Sequence, residues 1–159
     1  MTAIAIQDSR SSLGDFNGIV CFKAVITGVE DTLGPDGAAV VFTRAGKVRG
    51  HNLVASLGLT GNNVAAEQIA QTLDAAIGKH GTRLCTVTRS YVENGCLMIE
   101  TQETVCSAGE PQGSDRKCAF TLGAVWGALE AITGQTFLGE HTDSVLRSGS
   151  CDKFVFSLL

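Results

Sequence analysis

Cys118-Ala-Phe-Thr-Leu-Gly123-Ala-Val-Trp126-Gly127-Ala-Leu-Glu-Ala-Ile-Thr-Gly134 reads as a helix closed by a glycine, and two strands separated by Arg147-Ser148-Gly149-Ser150 follow it. Gly123 and Gly127 stand one turn apart in the helix interior, where each costs roughly 0.8–1 kcal/mol relative to alanine. The sum of about 2 kcal/mol must be offset, and a bare helix face recovers it when another backbone or a ligand comes close. Any binding function is therefore expected beside that face.

Working outward, the segments before this helix set the fold class. Residues 84–92 and 96–103 are rich in Thr, Val and Ile and flank Asn94-Gly95, a strong signal for a two-residue hairpin. The strands after the helix are expected near 136–146 and 151–159, the last with Phe154, Phe156 and Leu158 on one face. Upstream, a first helix is expected from Ser12 to Leu33, with Ser12 and Asp15 in capping-box spacing and Phe16, Ile19, Phe22, Ile26, Val29 and Leu33 as its apolar stripe. Gly34-Pro35 ends it, and a second helix runs from Asp36 towards Leu57 through Gly46 and Gly50. A third starts with Asn62 or Asn63 as cap and buries Ala66, Ile69, Leu73 and Ile77. The sum is an α+β fold: a four-stranded antiparallel sheet packed with about four helices, in one domain over residues 1–159. The long segment 105–117, with Gly109, Pro111 and Gly113, is loop.

Composition narrows the function. A chain of 159 residues with a net charge of −4 has no basic excess for a phosphate backbone, so nucleic acid is not an expected partner. Met1-Thr-Ala-Ile-Ala-Ile-Gln7 lacks a basic leader, and no stretch approaches the roughly 18 apolar residues of a membrane span, which places the protein in the cytoplasm. Six cysteines without a Cys-x-x-Cys pair, in a chain with a full core, are expected to stay reduced. No Gly-x-Ser-x-Gly elbow, phosphate loop or dinucleotide-binding glycine motif occurs, so no catalytic residue is assigned and an enzyme is not expected. His141 and the thiols of Cys118 and Cys151 are metal-donor types, but adjacent Glu140 and His141 point to opposite faces of a strand and cannot both ligate without a bulge. Trp126, the single tryptophan, is either core or the wall of an apolar pocket.

These residues resemble the 4-vinyl reductase domain family, small-molecule-binding domains related in fold to the small subunits of the TRAPP tethering complex. Cys118, Gly123, Gly127 and Gly134 look like the family's cysteine and helix glycines, Glu140 and Cys151 fit its terminal spacing, and Ala45-Gly46-Lys47-Val48-Arg49-Gly50 looks like its earlier glycine segment. The resemblance is strongest over residues 82–159. It implies helices packed on antiparallel strands, dimers and a hydrophobic pocket. Asp143 stands where such domains often carry a cysteine, so no metal is assigned; Glu140, Asp143 and Cys151 are the residues that would hold one. The resulting expectation is a dimeric, non-catalytic carrier or sensor of a small hydrophobic molecule, bound by Cys118, Leu122, Gly123, Trp126 and Gly127. The alternatives are a ligand-free scaffold of TRAPP-subunit type and an accessory factor in tetrapyrrole metabolism. No cofactor is identified.

Overall fold

A computed structural model describes Ser12, residues 18–61 and residues 64–159. Phe16, Asp15 and the two candidate caps Asn62 and Asn63 lie outside the described residues. Among the described residues there are three helices, α1 (Ile19–Ser56), α2 (Ala66–Ile77) and α3 (Ala119–Thr133), and four strands, β1 (Thr86–Glu93), β2 (Cys96–Gln102), β3 (Phe137–Asp143) and β4 (Asp152–Leu158). The sheet is antiparallel throughout, in the order β1-β2-β4-β3.

The first two expected helices are one element. Gly34 leaves helical geometry (φ 73°, ψ 164°), and Pro35 resumes it immediately. Proline lacks an N–H, but the first turn of a helix needs none, so Pro35 kinks the chain here rather than ending it. The helix beyond the kink reaches across α3. Ala65 precedes α2 without a side-chain cap. Asn94 and Gly95 take positive φ values of 51° and 78°, as a two-residue turn between β1 and β2 requires.

Register places the helices on one face of the sheet. Ser90, Ile99, Phe154 and His141 form a row across all four strands, each opposite the next. Ser90 meets α2: its Oγ donates to the Ala66 carbonyl at 2.5 Å and accepts from the Ala70 N–H at 2.8 Å. One step along, Phe156 meets α3 through an edge contact with Trp126, the ring centroids 6.3 Å apart. The core lies between, built on Ile99, Phe154, Phe156, Val125, Leu129 and Leu73, all buried. The other face carries Tyr91, whose hydroxyl donates to Glu100 at 3.0 Å, and Lys153, 3.7 Å from Glu100.

α1 and α3 cross through reciprocal glycines. A Cβ on Gly123 would lie 2.2 Å from the Thr43 carbonyl oxygen, and one on Gly127 1.9 Å from that of Lys47. From the opposite helix, a Cβ on Gly46 would meet the Phe120 oxygen at 2.2 Å and one on Gly50 the Ala124 oxygen at 2.0 Å. The conformational cost of four helix glycines is offset by backbone-to-backbone packing that no side chain permits.

Candidate functional site

Two regions gather the residues singled out from the sequence. The first is a groove beside the glycine crossing. Leu122, Trp126 and Glu130 recur every four residues on α3 and are half-buried, so one stripe of that helix stays uncovered. Trp126, Gly127 and Glu130 face Val40, Thr43, Lys47 and Val48 of α1 across a groove of about 800 Å³. A second depression of about 300 Å³ shares Ala39 and Thr43 with it and is lined by Leu122, Glu140 and His141. Leu122, Trp126 and Gly127 thus border the groove, whereas Gly123 is closed off against Thr43.

Polar groups hold Trp126 in one orientation. Its Nε1–H donates to Glu130 Oε1 at 2.9 Å, and the same oxygen accepts from the Phe137 N–H at 3.2 Å. Lys47 Nζ lies 3.0 Å from Glu130 and 4.2 Å from the indole centroid, which combines an ion pair with a cation–π contact. Glu130 thus receives one charged and two neutral donors. Arg44 and His51, also on the groove, engage no partner among the described residues, so the groove has an apolar wall with the Arg44 guanidinium at its edge.

The second region is buried. Asp152 is 0% exposed, opposite Thr101 and on the same face as Phe154 and Phe156. Ser144 Oγ donates to its Oδ1 at 2.6 Å, and Thr104 and Ser107 donate to its Oδ2 at 2.5 and 2.8 Å. Burial raises the Asp152 pKa, but contact with His141 and the hydroxyls of Ser144, Thr104 and Ser107 outweighs it, so the carboxyl lies below the usual range. His141 Nε2 lies 3.4 Å from Oδ1, within ion-pair range but without hydrogen-bond geometry, and is left buried with no hydrogen-bond partner. Its Nδ1 accepts a 3.3 Å contact from the Cys118 N–H. Cys118 Sγ meets Ser107 Oγ at 3.3 Å and Thr104 Oγ1 at 3.6 Å. Hydrogen bonding with Cys106, burial and the Asp152 charge push the Cys118 thiol above its ordinary value.

Cys118, His141 and Asp152 bring their donor atoms within 4.8 Å of one another. Glu140 and Asp143 are exposed, and Asp143 lies 3.8 Å from Lys153. Cys151 is buried without joining the cluster. The alternation of Phe154 and Phe156, extended two residues back, points to Asp152 rather than Cys151, and Phe137, Gly139 and His141 extend the inward row of β3 in the same way.

A third cavity, of about 520 Å³, lies between the α1 kink and the 105–117 segment, with Ile26, Phe42, Phe120 and Cys106 in its walls. That segment is pinned across it: Glu110 lies 2.6 Å from both Lys23 and Arg116, and Arg116 lies 2.6 Å from Glu30.

No protein-family model matches the chain, nor does any curated protein sequence. Solved structures do. The phenol-responsive sensory domain of the transcription activator PoxR, determined with phenol, superposes with a TM-score of 0.59 at 15% identity, over 91% of this chain and 76% of that one. Subunit 3 of a trafficking protein particle complex from Naegleria fowleri, covalently bound to palmitic acid, gives 0.57 at 11% identity, over 89% and 92%. The fold is TRAPP-subunit-like. At these identities the likeness extends to the fold and no further. No helix among the described residues is long and apolar enough to cross a membrane.

Proposed function

We propose that residues 1–159 form a non-catalytic domain that binds a small apolar molecule in the groove along α1 and α3, with Leu122 and Trp126 as its wall. The observation that carries this reading is the groove itself. It has the size of small-molecule pockets, roughly 300–1,000 Å³, and Trp126 is held at its edge by Glu130 and Lys47. Backbone atoms fill the glycine crossing, so the ligand lies beside it and not within it. The structural neighbours support the class of function: one was determined with phenol and the other with a covalent fatty acid. The domain is read as cytoplasmic and of the 4-vinyl reductase type.

The reading is tested by native mass spectrometry of gently purified protein, repeated after denaturation, and by titration with phenol, hexadecanoate and a tetrapyrrole. A released organic mass, or saturable micromolar binding of phenol or hexadecanoate, supports it; tetrapyrrole binding alone would move the assignment to tetrapyrrole metabolism. A chain that carries nothing and binds none of the three overturns it.

One observation favours the scaffold reading. Val20, Val25, Leu33, Val40, Val41 and Val48 are exposed along α1, with Val20 at 78% and Val40 at 72%. A stripe of this kind fits a helical dimer face. Because Val40 and Val48 also line the groove, a second copy seated on α1 would cover it. Molar mass by light scattering, with and without bound probe, separates the two: a ligand-dependent mass means groove and interface compete.

A further inference from the structure

We propose that the cavity between the α1 kink and the 105–117 segment is a second binding site, and that it takes a small organic cation, an ammonium group on an apolar aromatic body. The cavity holds about 520 Å³, within the roughly 300–1,000 Å³ of small-molecule pockets. Its floor is apolar. Ile26 and Phe42 are buried there, and Phe120 is held beside them by an edge contact with Phe22, the ring centroids 5.1 Å apart. Water is a poor filling for such a floor, and an apolar body is a good one. Ala39 is the one lining residue shared with the groove, so the site does not depend on the groove being occupied.

The polar part of the lining sets the sign of the ligand. Glu30, Asp31, Asp36 and Asp115 share the cavity with Arg116 and Lys117. Arg116 is already engaged, 2.6 Å from Glu30 and 2.6 Å from Glu110. The side chains of Asp31, Asp36 and Asp115 engage no partner among the described residues and stand against Lys117 alone, so the charge left over is negative. The backbone adds to it. Glu30 and Asp31 lie in the last turn before the Gly34 break, a helix end where carbonyl groups already present negative charge and acidic side chains are disfavoured. Pro35 has no N–H and cannot give the Asp31 carbonyl the donor that a continuous helix supplies. A single ammonium group offsets all of these.

A bare metal ion does not suit the arrangement. Among the described residues only Cys118, His141 and Asp152 bring three donor atoms within 4.8 Å of one another, so the carboxylates around this cavity do not converge on a point. Negative charge spread around an apolar floor matches a ligand that carries its charge at one end and buries the rest. Phe42 and Phe120 offer rings to which an ammonium group is attracted in addition.

The test uses the full chain and three indoles that differ only in the end group: tryptamine, a cation at neutral pH, the neutral indole-3-ethanol, and the anion indole-3-propionate. Calorimetry is expected to show one saturable tryptamine site per chain, about tenfold tighter than indole-3-ethanol, with indole-3-propionate weaker still. In proton–nitrogen spectra tryptamine is expected to shift the amides of Asp36, Phe42 and Asp115 and to leave the Trp126 indole N–H in place. The triple variant Asp31→Asn, Asp36→Asn, Asp115→Asn removes exposed charges that pair with nothing among the described residues, and is expected to bring tryptamine down to the affinity of indole-3-ethanol. No saturable tryptamine binding up to roughly 1 mM, equal affinity for indole-3-ethanol, a triple variant that binds like the parent, or a response at Trp126 without one at the cavity overturns the proposal. If the variant does not fold, the three-ligand comparison on the parent chain still decides it. None of these results bears on phenol or hexadecanoate in the groove.

Discussion

Gly127→Ala adds one methyl group and is expected to destabilise the protein, although alanine is the better helix former. The new Cβ would lie 1.9 Å from the Lys47 carbonyl oxygen, 2.7 Å from its carbon and 2.9 Å from its Cα, against 3.4 Å for an ordinary contact. All three atoms are backbone, so no side-chain rotation relieves them, and α1 and α3 must part by about 1.5 Å. Overpacking typically costs about 1–3 kcal/mol, and the absence of any yielding side chain puts this site at the upper end. Helix propensity returns about 1 kcal/mol, leaving a net loss of about 2 kcal/mol. Gly28→Ala is the control. Gly28 is an exposed residue of the same α1, with nothing within 4 Å of a Cβ, so only the propensity gain of roughly 0.8–1 kcal/mol remains. Equilibrium urea unfolding reads both. With a slope of about 2 kcal/mol per molar, Gly127→Ala lowers the midpoint by about 1 M and Gly28→Ala raises it by about 0.4–0.5 M. A neutral or stabilising Gly127→Ala would refute the claim that the crossing has no room for a side chain.

Ser90→Ala removes the hydroxyl that joins the Ala66 carbonyl and Ala70 amide of α2 to β1, and is expected to lower stability by about 1–3 kcal/mol in urea unfolding. Glu110 is held below the usual carboxylate range chiefly by its hydrogen bond from Lys23 and, beyond the opposing effect of burial, by Arg116. A lowered folded pKa stabilises above the unfolded value of about 4.3 and is lost as pH falls through the folded one, so Glu110→Gln should flatten the acid limb of stability between about pH 5 and 3. A curve parallel to the parent's across that window counts against the ion-pair assignment. Trp126→Phe keeps the ring but loses the indole N–H to Glu130, and should weaken binding of phenol or hexadecanoate by about tenfold, or 1.4 kcal/mol, by calorimetry.

The order of elements was legible because each carries its own local signal. The hairpin follows from Asn94-Gly95 between β-rich runs, and α2 from its four-residue apolar spacing. Gly34-Pro35 was legible only as a boundary, since the same pair that stops one helix opens the next, and nothing local says whether the chain reverses. The glycines of α3 announced a close approach without naming the partner. That partner, the α1 backbone at Thr43 and Lys47, lies 80 residues upstream, and long-range pairing leaves no trace in either segment alone. Leu122 and Trp126 share the groove side of α3 because helical spacing keeps them on one stripe. The buried cluster shows the opposite case. Donor chemistry drew notice to Cys151 and Glu140, while strand parity with Phe154 and Phe137 turns Asp152 and His141 inward instead.

Because the chain has a single tryptophan, one resonance reports on the groove: the indole N–H of Trp126, which is bonded to Glu130. Two-dimensional proton–nitrogen spectra recorded while phenol and then hexadecanoate are added test the binding account most directly. The account predicts that this cross-peak shifts saturably with at least one probe, together with the amides of Thr43 and Lys47 on the facing helix. A probe that binds while these signals stay fixed, or spectra unchanged by both probes to high micromolar concentration, would contradict it.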